Sequence, residues 1–204
     1  SAGAAIADVT FAQRCCNHGF GGMEFLIGIP GTIGGAIAMN AGAHGAEISD
    51  FIKKVEWMDM GGVLHISEIE KLNFKYRFSE LNGNFGKIIT SAVFELQKSN
   101  PKFVKQKTIQ FQKFRMEKQP YNQPSCGSVF KNPKSHHAAQ LIEECGLKGR
   151  TIGGAQISQK HANFIVNLGN ASSSDILSLI DITQEAVFKK HSINLELEVQ
   201  ILQS

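Results

Sequence analysis

The chain has 204 residues, enough for one large domain or two small ones with a real core. Its formal net charge is +3, with 42% hydrophobic and 19% charged residues, and its lysines are scattered without a basic run interleaved with aromatics, so nothing argues for nucleic acid. No apolar stretch reaches the roughly 18 residues of a membrane helix; the opening SAGAAIADVT lacks the basic start of a signal peptide; and Cys15, Cys16, Cys126 and Cys145 show no C-x-x-C spacing, which reads as reduced cytosolic thiols.

Residues 4–9 read as a short strand, after which Thr10 caps a helix to about residue 17, and 18–22 is a glycine-rich break. The run GIPGTIGGAIAMNAGAHG carries six glycines, with a short helix predicted from about Thr32. Residues 53–59 and 63–66 form a predicted hairpin around Gly61-Gly62, SEIE from Ser67 has capping-box spacing for a short helix, and 87–96 alternates as a strand. Pro101 then opens a loosely amphipathic helix over 102–118. A turn-rich stretch follows to Gly127. Strand-like SVFK leads to Ser135, which caps HHAAQLIEEC, and Gly146 stops that helix. GGAQIS and NFIVNL look like a strand pair, Ser173 or Ser174 caps a long helix to about His191, and LELEVQIL closes as a strand. The fold class is α+β throughout, with a domain boundary near residues 99–102 that gives domains 1–100 and 101–204.

The glycine run matches neither a P-loop nor a Rossmann fingerprint. Its glycines 28, 31, 34 and 35 permit backbone to approach a bulky planar or phosphorylated ligand, or equally a tight turn with close helix packing. Arg77, after Tyr76, can pair with a carboxylate through two parallel hydrogen bonds, or simply stack on Tyr76 at the surface. Arg115 and Lys118, three apart at a helix end, share a face that suits phosphate oxygens or solvent. Ser128 in CGSVF lacks the G-x-S-x-G elbow of a hydrolase nucleophile, and Cys126 reads as structural. Alternation places Glu196, Glu198 and Gln200 on one face of the closing segment, with Leu195, Leu197, Val199 and Ile201 on the other. The seven histidines show no metal-binding spacing, so no metal is expected.

Each motif is weak alone, but their order is not. IPGTIGGAIAMNAGAHG, YRFSE, PSCGSVFKNP, GGAQISQKHANFIVN and LELEVQIL together closely resemble the UDP-N-acetylenolpyruvoylglucosamine reductase (MurB) family of peptidoglycan synthesis, over essentially the whole chain and in the branch lacking an extra tyrosine-bearing substrate loop. The resemblance implies the second part of a vanillyl-alcohol-oxidase-type FAD-binding domain, followed by an α+β substrate-binding domain. It implies a bacterial, cytoplasmic enzyme, monomeric at full length and away from membranes, in which NADPH reduces FAD. The hydride then passes from N5 to C3 of the enolpyruvyl double bond of a UDP-sugar. Ser128 matches the family's proton donor to C2. Arg77 and Glu198 match the pair that stabilises the enolic intermediate, Glu198 being protonated or sharing a proton with the substrate carboxylate. By the same match Tyr76 borders the substrate and nicotinamide, Lys118 and Asn132 meet the UDP phosphates, and Ile29, Pro30, Gly31, Thr32, Gly34, Gly35, Asn40 and Arg115 meet the flavin.

Family members begin with a further stretch carrying the first flavin subdomain, to which nothing here corresponds. The expectation is that this chain alone binds FAD weakly or not at all. Two alternatives stand beside the reductase: an inactive UDP-sugar-binding fragment, and a flavin oxidase of the same broad fold.

Overall fold

The computed structural model describes residues 1–83 and 86–202. The chain forms two compact units, Ser1–Phe114 and Arg115–Ser204. The division lies further along than the boundary expected at 99–102. The first half of the helix that begins at Pro101 keeps Val104 buried and Phe111 packed against the core of the first unit.

The first unit is built on a four-stranded antiparallel sheet in the order β1 (Ala2–Gly3), β7 (Lys87–Phe94), β5 (Ile52–Asp59), β6 (Leu64–Glu68). In β5 the alternation turns Val55 into the core, while Lys54 and Glu56 take the other face. The β5–β6 hairpin forms where the sequence placed it. Asp59 Oδ1 accepts from the N–H groups of Gly61 and Val63 at 2.9 and 3.0 Å, and Gly62 supplies the positive φ (80°) that closes the turn. Around the sheet lie α1 (Asp8–Asn17), α2 (Ile33–Met39), the pair β2 (Phe20–Gly21) with β8 (Gln97–Lys98), and the hairpin β3 (Gly42–Ala43) with β4 (Ala46–Glu47). Met23, Phe25, Leu26, Ile33, Ile37, Ile48 and Val55 fill the core.

Two expectations are corrected here. Residues 4–9 do not form a strand. Asp8 N–H bonds Gly31 O at 3.1 Å, Ala7 bridges Thr32, and α1 begins at Asp8, so Thr10 lies inside its first turn rather than capping it. Long-range pairing to the Gly31–Thr32 backbone overrides local pattern. Likewise Ser67 caps no helix: it ends within β6, its Oγ accepts from Trp57 Nε1 at 3.1 Å, and only a short 3₁₀ turn, Ile69–Lys71, follows.

Asp8 is unusual. It is 1% exposed, its Oδ1 has no hydrogen-bond partner among the described residues, and burial pushes its carboxyl up to about 6. A folded-state value above the ordinary 3.8 means that protonation favours the folded state. The stabilisation is present below about pH 4 and lost as pH rises through 6. Asp8→Asn should therefore raise the melting temperature at pH 7–8, by roughly 1–2 kcal/mol equivalent once solvent screening is allowed for, and change little near pH 4. Thermal unfolding across that range checks this; an equal effect at both pH values would contradict it.

The second unit holds the antiparallel sheet β10 (Thr151–Ile152), β11 (Ala155–Ile157), β12 (Phe164–Asn167), β9 (Ser125–Ser128), entered from the end of α3 (Pro101–Lys118). Helices α4 (Ala138–Glu144) and α5 (Ser173–His191) complete it around Val129, Phe130, Leu141, Ile142, Ile157, Ile165, Leu179 and Val187. The strand pair expected from GGAQIS and NFIVNL is β11 with β12. The cap of α5 lies one residue before the expected serines, at Ser172. Ser172 Oγ accepts from Asp175 N–H while Asp175 Oδ2 accepts from Ser172 N–H, a reciprocal cap.

Three local expectations change. Ser135 sits at φ 64° in a turn; the cap on α4 comes from Asn132, whose Oδ1 accepts from Ala138 N–H at 3.0 Å. The regular strand is Ser125–Ser128, ending where SVFK was to begin. LELEVQIL is not a strand: Leu197 makes one isolated bridge, to Phe130. Its alternation nevertheless reports burial, because Leu195 is buried, Leu197 and Val199 pack on the core, and Glu196 is exposed; Ile201, expected inward, is exposed.

Candidate active site

In the first unit the glycine run divides by job. Gly34 is a packing residue: a Cβ there would lie 3.0 Å from Ala4 Cβ. Pro30, Gly31, Thr32 and Gly35 face outward, and Ile29 is half-buried against the core. Thr32 caps α2 by accepting from Gly35 N–H, and a Cβ on Gly35 would meet only that hydroxyl, at 3.7 Å. Gly31 holds φ 153° with its carbonyl on Asp8 N–H. The result is bare, fixed backbone of the kind that lets a flat or phosphorylated ligand approach.

Asn40 does a different job with its side chain. It ends α2 in the left-handed region (φ 46°) and is 1% exposed. Nδ2 donates to Glu47 Oε2 (2.7 Å) and Lys75 O (2.9 Å), and Oδ1 accepts from Ser49 N–H. Asn40 thereby ties α2 to β4 and to the turn that carries Tyr76 and Arg77.

That turn is tight: Lys75 and Phe78 exchange both backbone hydrogen bonds at 3.0 Å, leaving Tyr76 and Arg77 as its two central residues. Arg77 occupies the second of them at φ 54°, where glycine is the easy choice. Its guanidinium donates to Gly42 O (2.9 Å) and Asn40 O (3.5 Å), lies 3.9 Å from Glu47 Oε1, and rests 4.8 Å from the Tyr76 ring centroid. Ser79 anchors the following residue pair by donating to Ala38 O. Arginine's planar fork of N–H donors, held here in a fixed turn, is of the kind that receives a carboxylate. Sequence reasoning missed Glu47 and His44. The His44 ring stacks on Phe111 at 3.9 Å and pins the β3–β4 hairpin.

In the second unit Ser128 closes β9 opposite Phe164. The next peptide is the junction of the site. Val129 O accepts Glu198 N–H at 2.8 Å, Phe130 bridges Leu197, and Lys131 N–H donates to Glu196 O. Glu198, seventy positions away in sequence, is thus brought alongside the residue after Ser128. Lys131 Nζ pairs with Glu196. Arg115 and Lys118 lie in the last turn of α3, Arg115 half-buried and Lys118 exposed. Cys126 is an exposed free thiol in the middle of β9.

Residues 119–202 match the family model described as UDP-N-acetylenolpyruvoylglucosamine reductase, C-terminal domain, and residues 2–67 match an FAD binding domain. The solved UDP-N-acetylenolpyruvylglucosamine reductase (MurB) of Thermus caldophilus superposes with a TM-score of 0.83 at 36% identity, over 95% of this chain and 69% of that one. The chain belongs to the UDP-N-acetylenolpyruvoylglucosamine reductase family. Family members from Halalkalibacterium halodurans and Synechococcus sp. are 44% and 46% identical over 98% and 96% of this chain. The chain spans 66% and 63% of those relatives' lengths. The MurB family's FAD has a fitting surface here, the bare backbone from Pro30 to Gly35 within the matched region. Among the described residues no helix is long and apolar enough to cross a membrane.

Proposed function

We propose that the chain carries the substrate-reducing machinery of a UDP-N-acetylenolpyruvoylglucosamine reductase. The reaction is the NADPH-driven, FAD-dependent reduction of UDP-N-acetylglucosamine enolpyruvate to UDP-N-acetylmuramate, in the bacterial cytoplasm, by a protein monomeric at full length. The observation that carries this reading is the Val129 carbonyl, which accepts Glu198 N–H one peptide away from Ser128. It supports a hydroxyl and a carboxyl acting on one small substrate group.

The first unit serves the cofactor and the second the UDP-sugar. Ile29, Pro30, Gly31, Thr32 and Gly35 hold the flavin by backbone, with Gly34 and Asn40 shaping that backbone from behind and Arg115 as a further contact. Bound FAD supplies the hydride that reaches C3 of the enolpyruvyl group, with NADPH as its source. Negative charge then builds at C2 and spreads into the neighbouring carboxylate. Arg77 meets that anion with two parallel N–H donors, and Glu198 shares a proton with it. Ser128 delivers the proton to C2. Tyr76 borders the reacting group. Lys118 and Asn132 meet the phosphates.

The test is NADPH oxidation by the full-length protein with and without the enolpyruvyl substrate. Oxidation that requires the substrate is the expected result. Oxidation at the same rate without it, oxygen being the acceptor, would favour a flavin oxidase. UDP-sugar binding with no NADPH oxidation would leave a binding module.

A further inference from the structure

The peptide that joins Ser128 to Glu198 has a second side, and one residue occupies it. Asn163 precedes β12 and is 4% exposed. Its carboxamide pairs both ways with Phe130: Oδ1 accepts from Phe130 N–H at 2.9 Å and Nδ2 donates to Phe130 O at 2.8 Å. Its own carbonyl accepts from Val129 N–H at 2.9 Å. The β9–β12 ladder is irregular between Phe164 and Val166, and its regular pairing ends at the Phe164–Ser128 pair. Beyond that pair the Asn163 backbone and side chain supply the bonds to Val129 and Phe130. Residues 129–131 are consequently clamped between Asn163 on one edge and residues 196–198 on the other.

We propose that Asn163 is the positioning residue of the Ser128–Glu198 pair, fixing the backbone from which both groups are presented. This rests on the reading of Ser128 and Glu198 as catalytic. An apolar residue of similar volume would fill the same space. A buried carboxamide is costly to desolvate, and what offsets the cost is this two-way pairing. A shift of about 1 Å in a reacting group is worth on the order of a hundredfold in rate, so loosening this clamp acts on the chemistry before it acts on the fold.

Asn163→Asp in the FAD-loaded full-length enzyme separates these roles by pH. An ionised carboxylate has no donor for Phe130 O and repels it; a protonated one has both a donor and an acceptor and restores the pair. Burial raises the value at which that aspartate ionises above the ordinary carboxylate range. The nearby titratable groups are His161, held below its usual range by burial, the Lys131–Glu196 pair and Glu198, and the wild-type profile subtracts their contribution. At pH 8, rapid-mixing experiments should show flavin reduction by NADPH unchanged and reoxidation by the enolpyruvyl substrate slowed roughly 10- to 100-fold. Reoxidation should recover relative to wild type as pH falls. Asn163→Leu, which keeps the volume, should be slow at every pH in protein shown to be folded by circular dichroism. Wild-type reoxidation rates in folded Asn163→Leu, or equal loss in both half-reactions of Asn163→Asp, would overturn the proposal. A wild-type enzyme that is never reoxidised by the enolpyruvyl substrate would overturn the functional reading itself, and the proposal with it.

Discussion

Ser128→Ala should leave flavin reduction by NADPH at its normal rate and slow reoxidation by the enolpyruvyl substrate about 10²- to 10⁴-fold, the usual worth of a positioned proton donor. The geometry makes this a clean substitution. Ser128 ends β9, its backbone pairs opposite Phe164, and the clamp on residues 129–131 is made by backbone groups and Asn163, none of which needs the hydroxyl. Stability should therefore change by less than about 1 kcal/mol. The two half-reactions report separately because only the second moves a proton to C2. Normal rates in both would remove Ser128 from the mechanism and leave it a strand-end residue.

The second large effect is at Arg77, where stability and activity should part company. A non-glycine residue in the left-handed region costs roughly 1–2 kcal/mol, and Arg77 sits there at φ 54°. Its guanidinium bonds to Gly42 O and Asn40 O offset that by about 1 kcal/mol each. Arg77→Gly removes the strain along with the bonds and should be nearly neutral in stability. Arg77→Ala keeps the strain, loses the bonds, and should be less stable than Arg77→Gly by about 1 kcal/mol. Both should lose at least about a hundredfold in kcat/KM, because neither can pair with the substrate carboxylate. Arg77→Lys should fall in between, as a point charge without the planar fork. Melting temperatures and steady-state kinetics on the same three proteins test this. If Arg77→Gly were both fully active and more stable, the strained turn would serve no catalytic purpose.

What the sequence disclosed followed from how local each signal was. The β5–β6 hairpin, α3 and α5 were legible because alternation, Pro101 and a serine cap act within a few residues. LELEVQIL showed the limit of alternation. The pattern reported which side chains are buried, but strand geometry needs a continuous partner, and only Phe130 offers one. The strand expected over 4–9 failed for a related reason, since the Gly31–Thr32 backbone decides that segment from a distance. Ser128, Arg77 and Glu198 were singled out through resemblance, not spacing. Asn163 was not found at all. An amide paired with a peptide 33 positions away leaves no periodic trace, and KHANF looks like an ordinary lead-in to a strand. Asn40 was assigned to the flavin through resemblance; that its side chain bonds Glu47, Lys75 and Ser49 left no trace in the sequence. Asp8 ran against the rule that isolated carboxylates stay at the surface.

The most direct measurement is product analysis after turnover in D₂O, with NADPH and UDP-N-acetylglucosamine enolpyruvate given to the full-length protein. The account predicts UDP-N-acetylmuramate carrying deuterium at C2, because the proton delivered there comes from a hydroxyl that exchanges with solvent. Ser128→Ala should yield that product only at the slowed rate. No reduced sugar nucleotide, with NADPH consumed only by oxygen, would contradict the account.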